Sequence, residues 1–181
     1  MTLPNAITLM RIMLVPVFLS YVNLDWRVVA LVIFCIAAAT DFIDGYLARK
    51  MGQVSNFGKI MDPVADKLLV LAALVSFVAE GKMAVWVVIT VLAREFLISA
   101  LRIVAAKEGV VIAADISGKI KTVVQITCII TILAADAGVK VFPPSVDINF
   151  YAAWLIAAVT VWSGFDYLVR HRSLLAMNKT K

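Results

Sequence analysis

Six apolar runs, each close to the length of one bilayer crossing, leave this chain few folds to adopt. They cover roughly residues 5–22, 28–49, 62–79, 83–106, 117–136 and 149–169. About 20 apolar residues cross about 30 Å of hydrocarbon as α-helix, and a helix satisfies its backbone polar groups internally, as hydrocarbon demands. The first run is the shortest and is interrupted by Arg11 and Pro16. Of the 181 residues, 63% are hydrophobic and 16% charged, against roughly 45–50% and about 25% in soluble domains. That excess calls for lipid as solvent. The expected fold is an all-α, six-transmembrane-helix bundle forming a single domain over residues 1–181, too short for an added soluble domain.

The basic residues orient the bundle. With both termini on one side, that side collects Arg11, Arg49, Lys50, Lys59, Lys67, Arg102, Lys107, Lys119, Lys121, Arg170, Arg172, Lys179 and Lys181. The other side has Arg27, Lys82 and Lys140, and Arg94 falls within a span. By the positive-inside rule both termini are cytoplasmic. The net charge of +5 lines a membrane boundary rather than one stripe, which suits anionic headgroups or phosphorylated substrates and argues against nucleic acid. The first run lacks the basic lead-in and cleavage site of a signal peptide. Cys35 and Cys128 stand singly in apolar runs and read as packing residues. Trp26, Trp86 and Trp154, near span ends, read as interfacial anchors.

Four aspartates break the apolar pattern. Asp41 and Asp44 close the second run, and Asp62 and Asp66 open the third, all on the side assigned to the cytoplasm. At 100° per residue, Asp41, Asp44, Gly45 and Ala48 share one narrow face, with Arg49 beside it. Gly45 and Ala48 keep that face free of bulk. Asp62 and Asp66, four residues apart, share a face of the third helix, with Pro63 suited to its first turn. Gly52, Ser55, Asn56 and Gly58 permit a tight return between the helices, so a cleft with four carboxylates is expected. Such charges repel unless protons or a cation intervene. An all-oxygen carboxylate set suits a hard divalent ion, Mg²⁺ above all when phosphates complete its shell. Caps and salt bridges to Arg49, Lys59 or Lys67 could account for any one aspartate, less readily for all four.

The stretch reads Asp41-x-x-Asp44-Gly45-x-x-Ala48-Arg49, eight residues, then Gly58-x-x-x-Asp62-x-x-x-Asp66. It resembles the signature of the CDP-alcohol phosphotransferase family at every fixed position, and the six-span length is similar too. The resemblance implies an integral-membrane enzyme that cleaves a CDP-linked donor, moves a phosphate-bearing group to an alcohol and releases CMP. It implies Asp41, Asp44 and Asp62 as principal ligands of two Mg²⁺ or Mn²⁺ ions. Asp66 becomes the general base on the acceptor hydroxyl, sharing a metal in some arrangements. Asp44, Gly45, Ala48, Arg49, Gly58 and Asp62 would line the CDP moiety. A homodimer in the bacterial inner membrane is the implied setting.

Other residues bear on the two substrates. Asn5 and Thr8 share a face at the cytoplasmic end of the first helix and could bond a cytosine or ribose, although Asn5 also suits a helix start. Arg102, Lys119 and Lys121, at the cytoplasmic ends of helices four and five, could form an anion site beside the carboxylates. Arg94 suits pairing with a carboxylate inside the bundle. "REFLISALR" and "GKIKT" resemble the phosphatidylglycerolphosphate synthase branch, which implies CDP-diacylglycerol as donor and sn-glycerol 3-phosphate as acceptor. Inositol phosphate, serine or another alcohol remain alternatives. A cation transporter is a competing class, but it favours charges near the midplane and internal repeats, and neither is visible. Asp166 and Arg170 read as a local ion pair, and His171 as a solvated headgroup contact.

Overall fold

The structure is a computed structural model describing residues 3–51, 56–107, 109, 115–140 and 142–172; for residues 3–7, 41–51, 56–60, 62, 63 and 66 it describes backbone alone. Among the described residues six helices follow one another: α1 (Leu3–Asn23), α2 (Arg27–Met51), α3 (Asn56–Ala79), α4 (Val85–Lys107), α5 (Ile116–Asp136) and α6 (Ile148–Arg170). Among the described residues there is no strand. α5 and α6 are long and apolar enough to cross a membrane by length and composition.

Each helix coincides with an expected run, and α3 departs most. It begins at Asn56 rather than near Asp62, so Asn56 and Gly58 are helical and Pro63 lies well inside the helix. The first-turn placement of Pro63 is thereby corrected. An interior proline removes one backbone donor, whereas helical glycine costs only about 1 kcal/mol, so neither prevents the helix from starting early. Pro16 is likewise inside α1, where Ser20 Oγ donates to its carbonyl at 2.8 Å. Gly81 and Gly138 end α3 and α5 with φ of +71° and +85°, the left-handed conformation that costs an L-residue about 1–2 kcal/mol.

The helices form two groups of three. α1 packs along both α2 and α3, which touch each other far less, and α6 packs along both α4 and α5. The groups meet chiefly through α2 on α5, with smaller contacts of α3 on α4 and α5. The apolar core fills the half of the bundle away from the aspartate-bearing segments. There Phe18 and Phe34 meet with ring centroids 5.8 Å apart, among buried Leu74, Phe77, Val87, Ile129, Ile132 and Ile156. Many large side chains face outward instead, including Met13, Phe96, Val123, Trp154 and Phe165. Buried polar residues such as Thr8, Lys121, Gln125, Thr160 and Ser163 lie in the other half.

An ionic clamp closes the apolar end. Lys82 Nζ lies 2.7 Å from both Glu80 Oε2 and Asp136 Oδ2, and Arg27 pairs with Glu80 and Asp25. The clamp ties the start of α2 to the ends of α3 and α5. Burial pushes the Glu80 carboxyl up, but Lys82 and Arg27 together more than offset it and hold it below its ordinary value. A depressed carboxylate stabilises the fold above its unfolded pKa, about 4.3, and that stability is lost as pH falls through the folded value. Glu80→Gln should therefore cost about 2 kcal/mol at pH 7, from the loss of charged hydrogen bonds. It should also flatten the stability loss below about pH 4.3. Circular-dichroism melts of both proteins in detergent between neutral and acid pH test this. Equal acid sensitivity would count against the clamp.

Candidate active site

The connectivity brings the aspartate-bearing segments together. Asp41, Asp44, Gly45, Ala48 and Arg49 occupy the last turns of α2, and Gly58, Asp62 and Asp66 the first turns of α3. Only residues 52–55 separate the two helices, so both segments lie at one end of the bundle. The side chains of these residues and of Asn5 lie outside the described set, and with them the expected ligand cleft. Among the described residues no group of three or more His, Cys, Asp or Glu could hold a metal. The donor chemistry of the aspartate segments nevertheless fits a hard divalent ion, since four carboxylates offer only oxygen.

α1 carries Thr8 into this end of the bundle, 2% exposed. Its buried face repeats at Thr8, Arg11, Val15, Phe18 and Val22, a spacing of three and four that gives one helical stripe. Because α1 packs on both α2 and α3, that stripe adjoins both aspartate helices.

The expected anion cluster divides. α4 ends and α5 begins at the same end as the aspartates, which brings Arg102, Lys119 and Lys121 there. Arg102 and Lys119 are exposed, with the Arg102 guanidinium carbon 5.8 Å from the Tyr167 ring centroid. Lys121 turns inward and is buried, its Nζ donating to Glu95 Oε1 at 2.6 Å. Two residues apart on a helix, Lys119 and Lys121 lie about 200° apart, so the backbone alone separates them. Arg94 Nη1 also donates to Glu95 Oε1, at 3.1 Å, and Nη2 donates to Ser163 Oγ at 2.7 Å. The expected carboxylate partner of Arg94 is thus present, and Ser163 extends the link to α6.

Two glycines make room for Arg94. A Cβ at Gly164 would come within 3.3 Å of its Cγ, and one at Gly118 within 3.4 Å of Nη2. On α3, Lys67 Nζ donates to Ser99 Oγ at 2.7 Å and lies 3.5 Å from Glu95 Oε2. The sequence reading did not single out Ser99, Ser163 or Tyr167. The i, i+4 pair of Glu95 and Ser99 was the available signal, because it sets two polar groups on one face of α4.

At the α6 terminus, Arg170 Nε donates to Asp166 Oδ1 at 2.8 Å, as the i, i+4 spacing predicted. His171 is corrected: it stacks on Tyr167 at 4.4 Å and lies 3.9 Å from Asp115 rather than standing free in solvent. The ring four residues earlier captures it. Cys35 and Cys128 are free thiols, half-buried and buried.

The sequence profile of the CDP-alcohol phosphatidyltransferase family matches residues 1–162. The chain belongs to this family, a class of transferases. It is 39% identical to a CDP-diacylglycerol–glycerol-3-phosphate 3-phosphatidyltransferase of Bacillus subtilis, over 93% of this chain and 94% of the relative. A protein of that same description from Yersinia pestis is 37% identical over 93% of each chain. A probable phosphatidylglycerophosphate synthase of Mycobacterium tuberculosis is 38% identical over 93% of this chain and 80% of the relative.

Proposed function

We propose that the protein transfers the phosphatidyl group of CDP-diacylglycerol to sn-glycerol 3-phosphate, forming phosphatidylglycerol phosphate and CMP. The observation that carries this is the meeting, at one end of the bundle, of the aspartate-bearing turns of α2 and α3 with cationic residues of α4 and α5. The names of the relatives agree with it. The acceptor's free primary hydroxyl oxygen attacks the donor β-phosphorus while the bond to the CMP oxygen breaks. CMP departs with that electron pair, and Asp66 takes the hydroxyl proton. Asp41, Asp44 and Asp62, with Asp66, would hold one or two Mg²⁺ or Mn²⁺ ions, which supply charge neutralisation on the diphosphate and the leaving group. Gly45, Ala48 and Gly58 let the diphosphate approach the backbone, Arg49 adds a cation, and Asn5 and Thr8 bond the nucleoside.

The surface supports a membrane setting. Large apolar side chains point outward while polar ones are buried, the arrangement expected of a bundle in lipid. The exposed Trp86 and Trp154, with ring centroids 5.3 Å apart, suit an interfacial belt. The reading is a six-span homodimer of the bacterial inner membrane with termini and site cytoplasmic.

Exposed Arg102 and Lys119 are assigned to the acceptor phosphate, with Lys121 behind them. A charge-assisted contact contributes on the order of 1.5–3 kcal/mol, or roughly ten- to a hundredfold. Arg102→Ala and Lys119→Ala should each raise KM for glycerol 3-phosphate by that factor with donor affinity nearly unchanged. Arg102→Lys should also be impaired, because a point charge does not reproduce the guanidinium fork. The test is an acceptor panel of glycerol 3-phosphate, inositol phosphate, inositol and serine with labelled donor. Turnover of serine but not glycerol 3-phosphate would reject this acceptor.

A further inference from the structure

Glu95 serves more partners than a simple ion pair needs. Its Oε1 accepts from Lys121 Nζ at 2.6 Å and Arg94 Nη1 at 3.1 Å, and its Oε2 lies 3.5 Å from Lys67 Nζ. These cations come from α5, α4 and α3. Among the described residues one carboxylate faces three positive groups, leaving positive charge in excess there. The helices themselves are not closely packed here. α3 touches α4 and α5 only lightly, and α4 and α5 are not among the pairs in substantial backbone contact. Long side chains therefore span a space that backbones do not fill.

That geometry suits an anion. Burying an ammonium without a counter-ion is costly, so Lys121, 5% exposed, needs Glu95 to remain charged where it stands. Lys67 is restrained from two positions one turn apart on α4, Glu95 and Ser99. It also directly follows Asp66 in sequence. We infer that Glu95 is a positioning residue: its carboxylate fixes Lys67 and Lys121 across the space between α3, α4 and α5 as a preset seat for the acceptor's phosphate. Glu95 does not touch the reacting atoms. The inference rests on the acceptor being a phosphate-bearing alcohol, as proposed above.

The test uses the full chain in lipid nanodiscs with CDP-diacylglycerol and sn-glycerol 3-phosphate as substrates. Glu95→Gln and Lys121→Met should each raise the acceptor KM roughly ten- to a hundredfold, the loss of one charge-assisted contact, while donor KM stays within about twofold. The double variant should be no worse than Glu95→Gln by more than about twofold, because Glu95→Gln already removes the Glu95–Lys121 pair together with the Lys67 restraint. Ser99→Ala frees Lys67 without stranding a buried charge and keeps the test open should Glu95→Gln fail to fold. It should raise the acceptor KM by about three- to tenfold, the loss of one hydrogen bond. If donor and acceptor constants change in parallel, or the single effects multiply in the double variant, Glu95 is structural and the inference falls. If Lys121→Met raises the acceptor KM but neither Glu95→Gln nor Ser99→Ala does, the inference again fails and the acceptor reading survives. If Lys121→Met leaves the acceptor KM unchanged, the seat between α3, α4 and α5 is rejected, and the acceptor reading is then decided by Arg102→Ala and Lys119→Ala.

Discussion

Asp41→Asn, Asp44→Asn and Asp62→Asn are each expected to abolish turnover while leaving a folded, membrane-inserted protein. Amide for carboxylate preserves shape and removes the charge that a divalent ion requires. A divalent ion held as proposed would supply several kcal/mol of transition-state stabilisation, so its loss would correspond to on the order of a thousandfold or more in rate. EDTA should reproduce the effect in the unaltered protein, and added Mg²⁺ or Mn²⁺ should reverse it. The variants should melt within a few degrees of the parent, because these positions lie away from the apolar core of Phe18, Phe34 and Phe77. Full activity in EDTA would refute metal dependence.

Asp66→Asn should behave differently. A positioned general base contributes about 10²–10⁴ in rate, so turnover should fall by that factor. CDP-diacylglycerol binding should persist, since the remaining carboxylates still hold the cation. Equilibrium binding of labelled donor, measured beside steady-state turnover, makes the comparison. If Asp66→Asn loses donor binding as completely as Asp44→Asn, Asp66 is chiefly a ligand and the base assignment fails.

The helices were legible because each coincides with a run of hydrophobicity long enough to impose itself. The exception shows where that signal ends. Residues 56–61 combine Asn, Gly and Lys with apolar positions, and local turn preference pointed to a connector where helix continues. At the site, sequence spacing singles out the aspartate segments because four charges at helical intervals beside hydrocarbon have few uses, and the helix order brings those segments to one end of the bundle. It grouped Lys121 with Lys119 by proximity along the chain, and missed that helical rotation turns one inward and the other outward. The three-way use of Glu95 was not legible, since Lys67 and Lys121 come to it from other helices and no local pattern encodes such a meeting. His171 illustrates the same point at short range: its stacking on Tyr167 depends on how α6 ends.

The packing of α1 on both α2 and α3 gives the aspartate site an adjustable gauge. Among the described residues the two helices bearing the carboxylates touch each other sparingly while both pack on α1, so side-chain volume on a third helix, which contributes none of those carboxylates, would help set the spacing between them. Close-packed interiors transmit changes as small as a methylene. Exchanges at Val15, the apolar residue of the buried α1 stripe nearest the aspartate end, would then widen or narrow the spacing of the aspartate segments without altering any residue assigned to substrate. For a divalent ion held there as proposed, radius preference, the property separating Mg²⁺ from larger divalent ions, would become a quantity that drift in an apolar helix can retune.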